Sequence, residues 1–260
     1  MYAVLLGILQ GLTEFLPVSS SGHLVLAQSL LPGFQEPAAL FDAILHGGTL
    51  VAVLVYFRTD VTALLSCLRR GGDPGHRRLL LWLVAGTVPT GVVGVLFKGP
   101  LEALFEAPRF AAAMLLVTGA LLWVSETLAR PGDGLERLGF RRAFGIGLAQ
   151  GMAIIPGISR SGTTIAAATL LGIRGEDAAR FSFLLAIPAI LGALVLQLPE
   201  MVVTGGTNWS LYVGGAAAAC ISGLWAIRFL MKVIRKGRLR WFAVYCWALG
   251  LAYLFLGPRP

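Results

Sequence analysis

The chain has 260 residues, of which 57% are hydrophobic and only 13% charged, with a mean hydropathy of +0.79, well outside the range of soluble globular domains. Its net charge of +8 would suit nucleic acid, but the basic residues fall in short loops between apolar spans, which excludes that class and points to membrane topology. Cys67, Cys220 and Cys246 are isolated, with no CxxC spacing, so neither a disulfide framework nor a zinc site is indicated and the three are read as packing residues.

Segment 1–31 begins MYAVLLGILQ, without a basic n-region or a small-residue cleavage site, and Glu14 interrupts it; it is not read as a removable signal peptide. Breaks are predicted in it at Pro17 and at Ser19 to Gly22. Three segments long enough to cross a bilayer, which takes about 20 apolar residues, follow at 38–57, 79–97 and 110–129. A second broken stretch, 143–172, is interrupted at Pro156-Gly157 and Ser161-Gly162, and three further spans lie at 180–203, 209–231 and 241–257.

Thirteen of the 21 Lys and Arg lie in three loops: Arg69, Arg70, Arg77 and Arg78; Arg130, Arg137, Arg141 and Arg142; Lys232, Arg235, Lys236, Arg238 and Arg240. The loops 98–109 and 204–208 hold only Lys98 and Arg109, so the three basic loops are assigned to the cytoplasm and these two to the outside. Both broken stretches must then return to the face they entered from. The expected architecture is an all-α polytopic membrane protein with six transmembrane helices plus two re-entrant helix hairpins, 1–31 and 143–172. These form an inverted-topology repeat, 1–130 and 131–260, within a single membrane domain whose tips can meet near the midplane.

The two broken stretches share a polar motif. QGLTEFLPVSSSGH at 10–23 and QGMAIIPGISRSGT at 150–163 superpose at an offset of 140, matching Gln10 with Gln150, Gly11 with Gly151, Ser19 with Ser159, Ser21 with Ser161 and Gly22 with Gly162. Such groups are costly in hydrocarbon, so paired clusters indicate a buried polar site built from both halves. Gln10 and Glu14, at i and i+4, share a helix face. Ser19-Ser20-Ser21-Gly22 reads as a small-residue turn opening toward an anion, with His23 one residue on. Ser159, Arg160, Ser161, Gly162 and Thr163 set a guanidinium, which forks onto two phosphate oxygens, among hydroxyls and a helix start. Acid, hydroxyl, imidazole and arginine together suit phosphoryl transfer.

These segments, with PGISRSGTT, resemble the two signature segments of the bacterial undecaprenyl-diphosphate phosphatase family of the bacitracin-resistance type, a likeness that runs the full chain in length, span pattern and motif placement. It implies hydrolysis of the lipid carrier's diphosphate to the monophosphate, at the outer face of the bacterial cytoplasmic membrane, for reuse in peptidoglycan synthesis. By position it assigns the acidic motif to Gln10 and Glu14, the serine to Ser20, the histidine to His23 and the arginine to Arg160. Gln at the first acidic place removes one negative ligand from any metal site. On this reading Glu14, Ser20, His23 and Arg160 are catalytic, and Gln10, Ser19, Ser21, Gly22, Ser159, Ser161, Gly162 and Thr163 bind substrate. Ser20 activated by His23 competes as nucleophile with His23 itself or water, the serine being slightly preferred. Glu14 orients His23, takes a proton or holds Mg²⁺ or Ca²⁺; no organic cofactor is expected. The partners are the polyprenyl diphosphate and membrane lipids, with oligomeric state open.

The bland readings are close packing for the serines taken singly and ion pairing at the membrane surface for Arg174, Glu176, Asp177 and Arg180. His76 is a solvated loop residue, and Trp209, Trp241 and Trp247 are belt or core aromatics. His46 and Asp42, at i and i+4 in FDAILHGGTL, form a second polar pair, read as structural or access-groove in preference to catalytic. The competing function is a transporter or flippase, since inverted repeats with broken helices also build transporters; a purely structural protein leaves Glu14, His23 and Arg160 unexplained.

Overall fold

In the computed structural model residues 2–31, 38–69, 71–129, 132–203 and 209–258 are described. Twelve α-helices run through them: α1 (Tyr2–Phe15), α2 (Ser20–Ser29), α3 (Ala38–Tyr56), α4 (Arg58–Ser66), α5 (Pro74–Leu96), α6 (Lys98–Phe105), α7 (Pro108–Leu128), α8 (Phe140–Met152), α9 (Arg160–Leu170), α10 (Gly175–Val203), α11 (Trp209–Arg235) and α12 (Arg240–Leu256). A short 3₁₀ turn (Leu135–Arg137) precedes α8, and a backbone bridge joins Asp133 to Ile173.

Among the described residues four stretches are long and apolar enough to cross a bilayer: Pro74–Leu96, Pro108–Leu128, Gly175–Leu196 and Leu211–Arg235. A fifth arises if Phe41–Tyr56 and Arg58–Ser66, which meet at a 78° bend, count as one span, and α12 is a shorter apolar helix. The chain is therefore a multi-pass helical membrane protein. The segment 204–208, expected on the outside, lies outside the described residues.

Where loops were expected after 57 and over 98–109, the chain forms α4 and α6. Each carries apolar residues at helical spacing, Val61, Leu64 and Leu65 in one and Leu101, Leu104 and Phe105 in the other, beside charged groups such as Arg58, Asp60, Lys98 and Glu102. At nine and eight residues they are too short to span and suit a membrane interface. Of the breaks expected at Ser19 to Gly22 and at Ser161-Gly162, all but the cap Ser19 are the first turns of α2 and α9. The interruptions lie just before them, at the expected Pro17 and Pro156-Gly157, where a proline lacks the N–H a helix needs.

Close packing rests on small residues. A Cβ on Gly7 would lie 2.2 Å from the Gly215 carbonyl oxygen, and one on Gly11 2.2 Å from that of Ala219, so α1 lies backbone to backbone on α11. At the offset of 140, Gly147 lies against α5 in the same way, its Cβ position 2.1 Å from the Gly86 carbonyl oxygen. Such close approach is how helices associate in lipid, where burial of apolar surface gives little. Between these pairs, α1, the bend between α3 and α4, and α10 meet in an aromatic core in which Phe183 packs on both Phe15 and Phe57 with ring centroids 5.7 Å apart.

Most ion pairs gather at one end of the bundle. Asp60 pairs with Arg180 and Glu176 with Arg235, Glu126 with Arg240 at 3.0 Å, and Asp133 with Arg142 and Arg137 at 3.2 and 3.1 Å. The Arg142 hydrogen bond, joined by Arg137, holds the Asp133 carboxyl below the ordinary carboxylate value. The Asp133 ion pairs are thus favoured above the ordinary carboxylate value and lost as acid protonates the group.

The glycine contacts give a direct test. Gly147→Ala must push α8 off α5 and is expected to cost about 1–3 kcal/mol, the usual range for overpacking. Gly91→Ala, where a Cβ meets nothing within 4 Å, should leave melting of the detergent-purified protein unchanged; equal melting of both variants would remove the backbone contact.

Candidate active site

Each tip is a helix end, a tight reversal and a capped helix start. Ser19 adopts φ +71, the only positive φ at a described residue other than glycine, a strained conformation held by its surroundings. Its hydroxyl caps α2 by accepting the Gly22 N–H at 3.2 Å, as the Ser159 hydroxyl caps α9 by accepting the Gly162 N–H at 3.0 Å. The hydroxyl pairs Ser19/Ser21 and Ser159/Ser161 both stand 3.3 Å apart. Gly157, at φ +93, supplies the reversal in the second tip. Thr118 of α7 clamps it, donating to the Gly157 carbonyl at 2.8 Å and accepting the Ser159 N–H at 3.0 Å.

The two tips touch. A Cβ on Gly22 would stand 3.0 Å from the Gly157 Cα, and one on Gly162 3.2 Å from the Pro17 Cβ, while the Ser161 hydroxyl donates to the Leu16 carbonyl at 3.1 Å. At this junction sits the Glu14 carboxylate, its side chain 4% exposed. Arg160 donates to its Oε1 at 2.6 Å; Ser20 and Gln10 donate to its Oε2 at 2.5 and 3.0 Å. His46 Nε2 stands 3.6 Å from the same Oε2. A buried carboxylate is tolerated only when paired and hydrogen-bonded, and both oxygens of Glu14 are.

Gln10, Glu14, Ser20 and Arg160 thus come together around one group, with Ser159, Ser161, Gly162 and Thr163 in the capped first turn of α9 beside it. His23 is buried on α2, but its ring does not reach Ser20. Nδ1 lies 2.7 Å from the Ser19 carbonyl and Nε2 2.8 Å from the Tyr245 hydroxyl of α12, whose ring stacks parallel to it. A carbonyl only accepts, so Nδ1 carries a proton and Nε2 accepts from Tyr245 in the neutral ring. Nor do Asp42 and His46 pair through their side chains: His46 Nδ1 donates to the Asp42 backbone carbonyl at 2.7 Å, and the Asp42 carboxylate accepts from Gln28 at 2.9 Å. Gln150, the counterpart of Gln10, donates to Thr90 at 3.0 Å. Thr164 pairs with Ser182 at 2.6 Å.

Sequence reasoning missed Tyr245, Thr118 and Ser182. Tyr245 stands 222 residues from His23, and no local pattern links them. His46 carried a visible signal, a polar residue within an apolar helix, but not its proximity to Glu14.

Arg160 Nη1, Thr163 Oγ1 and Gln10 Oε1 are buried at this junction without a hydrogen-bond partner in the protein. The two donors suit an anion. A divalent cation fits less well: Ca²⁺ takes about six to eight oxygens and Mg²⁺ about six, whereas here the one carboxylate already has both oxygens engaged, one by a guanidinium, and the described residues hold no group of three or more His, Cys, Asp or Glu able to ligate a metal.

The model of the family described as bacitracin resistance protein BacA matches residues 3–252. A Syntrophotalea carbinolica protein named undecaprenyl-diphosphatase is 49% identical over 252 residues, 96% of each chain. Proteins of the same name from Carboxydothermus hydrogenoformans and Methanobrevibacter smithii are 44% and 42% identical, each over 98% of this chain and 96% of their own. With its tips, its Glu14–Arg160 pair and these full-length likenesses, the chain belongs to the BacA family.

Proposed function

We propose that this protein hydrolyses undecaprenyl diphosphate to undecaprenyl phosphate and inorganic phosphate, the activity for which its relatives are named, and so returns the lipid carrier to cell-wall synthesis. One observation carries the reading: a buried carboxylate–guanidinium pair lies between two capped helix starts, with Arg160 Nη1 and Thr163 Oγ1 still free to donate. Arg160, Thr163 and the first-turn N–H groups of α9 hold the terminal phosphate, and Arg160 neutralises the charge that spreads over its oxygens in the transition state. The relatives' names favour this over a transporter or flippase.

Ser20 is the nucleophile and Glu14 its base. The Ser20 hydroxyl already donates to Glu14 Oε2 at 2.5 Å, the alignment general-base transfer requires, so Glu14 takes the place expected for His23. His23 acts at a distance, holding the Ser19 carbonyl and therefore the strained residue that caps α2. No step is assigned to a metal.

The membrane arrangement follows the sequence reading: six spans, re-entrant hairpins α1–α2 and α8–α9, repeats 1–130 and 131–260, and a site opening to the outer face of the cytoplasmic membrane. Three features support it: α1 lies on α11 as α8 lies on α5, Gly7 and Gly147 occupy equivalent contacts, and the ion pairs cluster at the end carrying the basic loops.

Purified in detergent, the protein is expected to release phosphate from undecaprenyl diphosphate, and Arg160→Lys, which keeps the charge but loses the fork, to lower turnover by about 100-fold or more with the fold retained. Near-parent activity of Arg160→Lys would take it out of the phosphate site.

Glu14→Gln and Ser20→Ala should each lower kcat by about 10²–10⁴, with the double variant no worse than the poorer single one, because they act as a unit. His23→Ala should cost less, about tenfold, as the loss of a positioning hydrogen bond. Ser20→Ala retaining more than about one hundredth of parent turnover would point to water as the attacking group.

On a cysteine-free background, a cysteine at Gly99 should label from outside, and cysteines at Arg78 and Lys236 only after permeabilisation. Outside labelling at Lys236 would overturn the inverted arrangement.

A further inference from the structure

The reaction leaves Glu14 with a proton it cannot keep. When the Ser20 oxygen attacks the terminal phosphorus, the Oγ–H bond breaks and its proton passes to Glu14 Oε2. The Oγ–P bond forms, and the bridging P–O bond breaks with its electron pair leaving on the lipid monophosphate. Water must then attack the phosphoserine: Glu14 takes a proton from the water and hands it to the serine oxygen as the Oγ–P bond breaks, leaving hydrogenphosphate. For that step Glu14 must again be a carboxylate. Over the cycle the lipid diphosphate trianion and water yield the lipid monophosphate dianion, hydrogenphosphate dianion and one proton, so one proton must leave the site in every turnover.

The groups around Glu14 differ in their ability to take it. Arg160 has no acceptor. Gln10 approaches through its Nε2, a donor, and Ser20 is esterified at that stage. His46 remains. Its Nδ1 faces the backbone carbonyl of Asp42 at 2.7 Å, which can only accept, so Nδ1 holds the proton and the neutral ring presents the Nε2 lone pair. That lone pair stands 3.6 Å from Glu14 Oε2, one small side-chain rotation or one bridging water from a hydrogen bond. His46 also leads outward: its side chain is 29% exposed while that of Glu14 is 4% exposed, and a Cβ on neighbouring Gly47 would meet nothing within 4 Å. His23 cannot substitute, since its Nε2 is occupied by Tyr245.

We propose that His46 is the proton outlet of the site: Nε2 takes the serine-derived proton from Glu14 and passes it to solvent, restoring the carboxylate for hydrolysis of the phosphoserine. The charged groups facing it are Glu14 of α1 and, on its own helix, Asp42, whose carboxylate is held by Gln28 of α2. The inference rests on Glu14 being the base for Ser20.

The test is steady-state phosphate release from undecaprenyl diphosphate by detergent-purified His46→Ala, with and without imidazole in the buffer. The expected result is a kcat about tenfold or more below the parent with KM within about twofold, and recovery of at least about threefold on adding imidazole, which leaves parent and Ser20→Ala unchanged. If His46→Ala does not fold, His46→Ser takes its place in every comparison. A kcat within about twofold of parent, a rise in KM at constant kcat, or a loss that imidazole does not repair would overturn the outlet, the second making His46 a substrate contact and the third a packing residue. Glu14→Gln separates the two levels of the argument: near-parent kcat there overturns the base assignment, whereas its loss alongside unaffected His46 variants overturns the outlet alone.

Discussion

The fold turns on one buried carboxylate. Glu14 sits at the end of α1 in an apolar protein, where an unpaired charge is prohibitive, and its strongest partner, Arg160, comes from the start of α9, 146 residues away. Neither helix tip satisfies its own charged residue, so the two must meet. Their meeting dictates what surrounds them: glycine at 22, 157 and 162, where backbones and Pro17 come too close for easy addition of a side chain, and hydroxyl caps at Ser19 and Ser159 that finish each helix start without a further charged group.

What could be read from the sequence follows from what is local. Long apolar runs have one stable outcome in a membrane, and the predicted spans 38–57 and 241–257 coincide with α3 and α12 to within a residue. Pro17 and Pro156 announce helix ends because a missing N–H acts wherever it occurs. The spacing of Ser20 and His23 misled, because i and i+3 place two residues on one face without saying where their polar atoms turn. The His23 ring is claimed by the Ser19 carbonyl and Tyr245, and Ser20 by Glu14. Contacts such as Thr118 with Ser159 or Thr164 with Ser182 depend on which helices become neighbours, information that no window of sequence contains. α4 and α6 were missed because eight or nine residues with a partial apolar face look like loop to a search for spans.

The two motifs share a frame and differ in their chemistry. At the offset of 140, Gly7, Gln10, Gly11, Ser19, Ser21 and Gly22 recur as Gly147, Gln150, Gly151, Ser159, Ser161 and Gly162, and these residues pack helices and cap starts. Three polar positions do not recur: Glu14, Ser20 and His23 are matched by Ile154, Arg160 and Thr163. One half therefore supplies the carboxylate and the hydroxyl and the other the cation. A symmetric pair of glutamates would have set two like charges against each other in a low-dielectric site, and a symmetric pair of arginines would have left no base.

Unmet hydrogen-bonding capacity is distributed in keeping with that division. Among the described residues five buried side-chain atoms have no partner in the protein, and three of them, Gln10 Oε1, Arg160 Nη1 and Thr163 Oγ1, belong to this junction. Such groups cost about 1–3 kcal/mol each when left unsatisfied, a burden a membrane protein bears where a ligand relieves it. Two are donors on the first turn of α9, where the helix dipole also favours an anion. The third is an acceptor on α1, suited to a hydroxyl or water. The proposed division of labour thus matches where the unmet capacity lies, with donors on the arginine-bearing helix and an acceptor on the glutamate-bearing one.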